Sequence, residues 1–292
     1  MGRPSIAVVG YLSLDLVEHA GAVPFRAPGG AALYASLGAR AAGGDVSLYA
    51  SIGEDYPEGL LRAIEAAGID ISGVERRSGP TRCTRMSYGA DGRRASHHHG
   101  DEAWWERTRA LAPPSSFLGK HPDARLFTPL PAPLLADYAE RSRGRLRTAD
   151  TSEAFARTER AALLAAVAKL DVFAPSREET RLLLPELDDD AAARDLARRG
   201  PAVVQKRGPD GAFVVLPRNG TEIRYDAPVV AVADPTGAGD AFAGALTVAA
   251  AQGLSWPDIM QAAFAVAARA VAAYGPAGLG LDWAAVEHAA GW

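Results

Sequence analysis

Between residues 124 and 174 the chain alternates short apolar runs with longer helical patterns, and this alternation restricts the fold more than any other feature. Ala124 to Thr128, Leu146 to Asp150 and Val172 to Ala174 are apolar and too short for helices. Pro131 to Arg141 and Glu153 to Leu170 carry apolar residues at helical spacing. Strands separated by helices pair in parallel, because each helical crossover returns the chain to the same edge before the next strand begins. The expectation is an α/β fold with a mostly parallel central sheet and helices on both faces. Further strands are expected at Ser5 to Gly10, Val46 to Ser51, Ala202 to Lys206 and Ala212 to Leu216, and further helices at Ala31 to Ala42, Pro57 to Ala67 and Ile259 to Tyr274. With 292 residues, 48% of them hydrophobic, the chain can bury a large core in one domain, with or without a small appendage.

Sheets of this kind bind ligands beyond the carboxyl ends of their strands. Asp15, Asp150 and Asp240 all follow such ends. The most informative stretch is Asp234-Pro235-Thr236-Gly237-Ala238-Gly239-Asp240. It stands between an apolar β-branched run, Val229 to Ala233, read as a strand, and a helical pattern, Ala241 to Gln252. A small-residue turn into a helix leaves N–H groups unpaired where the helix dipole is positive, which suits a phosphate. Gly237 and Gly239 let backbone approach a phosphoryl group with no Cβ in the way. Asp240, in the first turn, is placed to accept a proton from a hydroxyl attacking that group. A lone Gly-Ala-Gly-Asp would equally be a capped helix after a glycine turn.

The full stretch through Ala241-Phe242 resembles the signature of the ribokinase/PfkB sugar-kinase family, and weaker similarity extends along nearly the whole chain. The resemblance implies a ribokinase-like domain over residues 1–292 with a small β lid formed by segments near 15–29 and 81–100. It implies that Asp240 is the catalytic base and that Gly237, Ala238 and Gly239 form the anion hole. Asp15 would hold acceptor hydroxyls, and Gly29 and Gly30 would lay their backbone against the acceptor. Tyr34 stands where much of the family carries an asparagine that contacts substrate, a departure from ribose- or fructose-type binding. The segment from Asp15 to Gly29 is shorter than in many relatives, so a reduced lid is expected there. Ser176-Arg177-Glu178-Glu179 has capping-box spacing, and the resemblance also places Ser176 and Glu179 near the phosphates and the magnesium water shell. The turn Lys206-Arg207-Gly208-Pro209-Asp210-Gly211 matches a family turn beside the nucleotide, so Lys206, Gly208 and Gly211 are candidate ATP contacts. Asp234 and the loop after Tyr274 are the implied potassium site. ATP, Mg²⁺ and K⁺ are therefore the implied cofactors, and lid edges that pair across a homodimer in relatives make a homodimer one expectation.

Thr81 to Tyr88 and Arg93 to His99, joined at Asp91-Gly92, read as a hairpin. Two histidines sharing a strand face make a poor zinc site on their own, so His97-His98-His99 is read as a lid edge. Arg82, Arg85, Arg93 and Arg94 are read as charge that keeps an edge strand soluble; a clamp on a phosphorylated sugar is the alternative. Trp104 and Trp105 are read as packing. A net charge of −4 gives no basis for nucleic-acid or membrane capture. The single cysteine, Cys83, excludes an internal disulfide and, with a start lacking the apolar stretch of a signal peptide, points to the cytoplasm. The leading expectation is an ATP-dependent kinase acting on a sugar or cyclitol. A nucleoside acceptor and a non-catalytic binding protein are its rivals; the lack of GxGxxG after the first strand argues against a dinucleotide-binding oxidoreductase.

Overall fold

The structure, a computed structural model, describes residues 2–19, 25–88, 94–97, 102–142, 145–217 and 219–281. The elements run in chain order β1 (Ser5–Val9), β2 (Ser13–His19), β3 (Phe25–Gly29), α1 (Ala31–Ala41), β4 (Asp45–Ile52), α2 (Glu58–Ala66), β5 (Ile69–Arg76), β6 (Arg85–Tyr88), β7 (Arg94–His97), α3 (Glu102–Ala110), β8 (Ala124–Phe127) and α4 (Ala132–Arg141). They continue as β9 (Leu146–Ala149), α5 (Glu153–Thr158), α6 (Arg160–Val167), β10 (Val172–Phe173), α7 (Arg177–Leu183), α8 (Asp189–Arg198), β11 (Ala202–Lys206), β12 (Ala212–Val215), β13 (Glu222–Tyr225), α9 (Ala238–Ala251) and α10 (Trp256–Val271).

The large sheet has the order β13-β12-β11-β10-β9-β8-β1-β4-β5. Every pair from β5 to β11 is parallel, and β12 and β13 add an antiparallel edge. Alternation along each strand sends side chains to two cores. In β1, Ile6 and Val8 join the core under α1, α2, α9 and α10, while Ala7 and Val9 join the one under α4, α6, α7 and α8. A smaller sheet, β3-β2-β6-β7, is built from the segments expected to form the lid. The short segment around Asp15 to Gly29 pairs as two strands, β2 with β3. Strand β6 runs parallel to β2 and antiparallel to β7. The hairpin tip at Asp91-Gly92, Arg93, His98 and His99 lie outside the described residues.

Two other expectations need correction. Val229 to Ala233 is not a strand; it forms no regular element, and Val229, Val230 and Val232 face solvent. Its β-branched residues satisfy the pattern of a buried strand, but its end is tied instead to α10, where Ala233 and Asp234 both donate to the Val271 carbonyl (2.8 and 3.2 Å). Glu153 to Leu170 is two helices. Glu159 leaves the helical region (φ −124°, ψ 27°), and its carboxylate accepts from the Ala132 amide at the start of α4. Tertiary bonding overrides a continuous helical periodicity at that residue.

Candidate active site

The turn into α9 is held by its own carboxylate. Asp234 accepts from the Thr236 amide (2.9 Å) and from the Gly275 amide past α10 (2.9 Å), locking the turn to the end of the neighbouring helix. Gly237 is left-handed (φ 73°), and a Cβ built there would lie 2.1 Å from the Tyr34 ring. Both facts demand glycine. Tyr34, buried in α1, therefore backs the turn from behind. The first intrahelical bond of α9 runs from Ala241 N–H to the Gly237 carbonyl (2.9 Å). The Ala238 N–H donates to the Pro235 carbonyl (3.4 Å), and Gly239 lies in the first turn, where helix N–H groups lack intrahelical partners and suit an anion. Asp240, partly buried, sits in the same turn.

Strands β9, β10 and β11 are neighbours, so the residues following them converge. Asp150 follows β9, Glu179 lies in the first turn of α7 after β10, and Lys206 ends β11. Lys206 Nζ is ion-paired with Asp150, both side chains largely buried. A Cβ built on Gly239 would lie 3.3 Å from Lys206 Nζ, so the ammonium borders the helix start. Burial works against its charge, but the Asp150, Glu179 and Asp240 carboxylates together hold its pKa above the ordinary lysine value. Glu179 completes a capping box, accepting from the Ser176 amide (2.6 Å) while Ser176 Oγ accepts from its amide (3.1 Å). Burial, reinforced by the Asp150 charge, pushes the Glu179 carboxyl up to about 8 against the pull of Lys206 and the Ser176 bonds. The chain thus places one cation among three carboxylates beside an N–H-lined helix start. Lys206, the candidate ATP contact, is the charge at the centre of this cluster. Its bond to Asp150 crosses 56 residues of sequence.

At the other end, Asp15 in β2 is buried, and its Oδ1 accepts from the Thr84 amide (3.0 Å). A Cβ on Gly29 would meet the Asp15 carboxylate at 2.0 Å, and one on Gly30 (φ 96°) would meet the Tyr11 carbonyl at 2.4 Å. The glycine pair is therefore pressed against Asp15 and the strand end of β1. The two turn glycines near Lys206 differ. Gly208 (φ 58°) faces open space, whereas Gly211 (φ 85°) would strike the Tyr225 carbonyl of β13 at 1.9 Å, so Gly211 serves the sheet edge. Of the lid arginines, Arg85 is exposed and pairs with Glu18 (3.0 Å). Arg82 is not an edge charge: it is buried against Tyr11 and Trp104. Trp104 and Trp105 pack edge-on with each other and around Phe155. No helix among the described residues is long and apolar enough to cross a membrane.

Comparison with known proteins gives the context. The pattern of the pfkB family carbohydrate kinases matches residues 5–283. A cytidine kinase of Thermococcus kodakarensis is 29% identical over 248 residues, covering 82% of this chain and 86% of that protein. A 2-dehydro-3-deoxygluconokinase of Thermoproteus tenax is 42% identical over 76 residues, 26% of this chain and 23% of that one. A ribokinase structure from Thermotoga maritima superposes with a TM-score of 0.70 at 21% identity, covering 93% of this chain and 94% of that chain.

Proposed function

The chain belongs to the pfkB family of carbohydrate kinases, and from that premise we propose that it transfers the γ-phosphoryl group of ATP to a hydroxyl of a sugar or cyclitol. The observation that carries this reading is Asp240 in the first turn of α9, beside the Gly237–Gly239 backbone and within the field of Lys206. Asp240 accepts the proton of the attacking hydroxyl. The Gly237, Ala238 and Gly239 N–H groups take up charge on the transferred group. Lys206 adds fixed positive charge at the same place, with Asp150 holding it there. Asp15 and the Gly29-Gly30 backbone orient the acceptor; a carboxylate can accept from two hydroxyls at once, which suits a polyol.

Features of this chain support an ATP site next to that centre. Gly208 leaves open space at the end of β11. Of the five large apolar side chains exposed among the described residues, Val229, Val230, Val232 and Tyr274 flank the turn and the end of α10, and apolar surface of that kind suits a base. Glu179 and Ser176 are the residues that would order a magnesium water shell, and a carboxylate acting through water fits the way Mg²⁺ is held. When bound there, Mg²⁺ would supply charge neutralisation to the ATP phosphates. Asp234 with the Gly275 loop is the proposed potassium site, a carboxylate that the Thr236 and Gly275 amides already fix between the turn and the end of α10.

A nucleoside acceptor is the second reading, favoured by the similarity to a cytidine kinase over most of the chain. Magnesium-ATP turnover, with and without potassium, over sugars, cyclitols and nucleosides separates the two. Asp240→Asn should fold normally by circular dichroism and lose about 10²–10⁴-fold in kcat on the best acceptor; near wild-type turnover would remove Asp240 from the base role.

A further inference from the structure

Arg82 is charged, nine-tenths buried and outside the phosphoryl-transfer cluster. It stands just before β6, where its carbonyl accepts from Leu14 N–H (2.9 Å) and extends the pairing of β2 with β6. Its guanidinium carbon lies 4.1 Å from the centre of the Tyr11 ring and 4.5 Å from that of Trp104. Both rings are fixed. The Tyr11 hydroxyl donates to the Thr108 carbonyl (3.0 Å), and Trp104 packs on Trp105 and Phe155. Ring faces attract a cation but offer no in-plane oxygen, and Arg82 Nε has no hydrogen-bond partner. Burial lowers the Arg82 pKa, and the charge of nearby Asp15 opposes that shift. Arg82 pairs with Leu14, the residue before Asp15, and the amide of Thr84, two residues on, donates to Asp15. Arg82 therefore neighbours Asp15 along the β2–β6 pairing, and Gly29 is pressed against that same carboxylate.

A buried guanidinium with an unused donor is costly unless a ligand completes it. Its fork of N–H groups matches two coplanar oxygens, as in a carboxylate, better than a single hydroxyl. Asp15 repels a carboxylate placed on itself but accepts from hydroxyls. The pair thus selects a molecule with hydroxyls at one end and a carboxylate at the other. We propose that Arg82 is the acceptor-specificity residue of this site and that the acceptor is a polyhydroxy acid of the aldonate class, its carboxylate met edge-on by Arg82 and its hydroxyls by Asp15. This deepens the kinase reading above and rests on it for the identity of the site.

The test is binding, measured by calorimetry on the full chain without ATP, of aldonates of several chain lengths and their matching alditols, in which CH₂OH replaces the carboxylate. At least one aldonate should bind more than about tenfold tighter than its alditol, the scale of a hydrogen-bonded charge. Arg82→Gln should abolish that preference, and Arg82→Lys, which keeps the charge but not the fork, should retain only part of it. Alditols binding as well as aldonates, a preference that survives Arg82→Gln, or no aldonate binding at all would each overturn the proposal. If Arg82→Gln does not fold, as judged by its thermal melt, the wild-type aldonate–alditol comparison decides alone. Tight aldonate binding with no phosphoryl transfer from magnesium-ATP would count against the kinase reading and leave the Arg82 assignment standing.

Discussion

Lys206 is where burial and charge meet most sharply. Its ammonium is held among Asp150, Glu179 and Asp240. Removing one partner of a buried charge cluster commonly costs about 3–5 kcal/mol, because the remaining charges lose their compensation. Lys206→Met should therefore melt earlier than wild type, and more so at pH 8 than at pH 6, where the carboxyls can escape by taking up protons; equal melting at both pH values would contradict the geometry. Glu179 gives a related prediction. Its folded pKa, about 8, lies above its ordinary value of 4.5. Between those values the folded chain holds a proton that the unfolded chain has released, so this group's contribution is greatest below pH 4.5 and is lost as pH rises toward 8. In metal-free buffer Glu179→Gln should flatten the fall of melting temperature over that window, while Gln still fits the capping box. The sequence made part of this cluster legible. Ser176 and Glu179 carry a local spacing with a local cause, and the glycine turn before Asp240 has one too. The Asp150–Lys206 pair has none: it exists because β9, β10 and β11 are neighbours, and no spacing along the chain encodes that. Arg82 was masked for a similar reason, since arginines in an alternating strand look like a soluble edge until Tyr11 and Trp104 are brought around one of them.

At the scale of elements, α9 is positioned by its contact with α1 more than by its own sequence. A Cβ on Gly244 would lie 2.2 Å from the Ala35 carbonyl oxygen, and one on Gly38 would lie 2.3 Å from the Ala241 carbonyl oxygen. The two helices touch backbone to backbone through facing glycines. Replacing a helical glycine by alanine ordinarily gains up to about 1 kcal/mol in helix propensity. Here the obstacle is backbone, which no rotamer change can move aside, and overpacking costs about 1–3 kcal/mol. Gly244→Ala should therefore be net destabilising in a thermal melt, and it should lower kcat because Asp240 rides the same helix. A variant with raised stability and full turnover would show that α9 can shift without consequence. Elements were readable from sequence where period and length agreed, as in β1, β4, α4 and α10. They were misread where tertiary bonds decided, at Glu159, which splits α5 from α6, and at Val229 to Ala233, whose apolar run lies in solvent. Strand β5 and helix α3 carry mixed patterns with few buried positions, Ile69 and Gly73 in β5 and Trp104 and Thr108 in α3.

At the scale of the whole molecule, Asp15 links the strands of the small sheet at the point where the chain turns into α1. This carboxylate lies in β2, borders the Gly29-Gly30 turn that leads into α1, and accepts from Thr84 just before β6. One group thus fastens β2 to the segment before β6, and under the proposed function it also holds the acceptor. The two tasks can be separated by chemistry. Asn retains one carbonyl oxygen that can still accept from Thr84 N–H, but it replaces the other oxygen with a donor and removes the charge. Ala removes both. Asp15→Asn should keep a near wild-type melting temperature and an unchanged KM for ATP, while KM for the acceptor rises by more than about tenfold, the scale of a hydrogen bond to a charged group. Asp15→Ala should show the same acceptor defect and also a lower melting temperature, since the Thr84 amide loses its partner beside a buried strand. If both variants bound acceptor normally and differed only in melting, Asp15 would be a lid fastener alone, and the acceptor would have to be held by the Gly29-Gly30 backbone and Arg82.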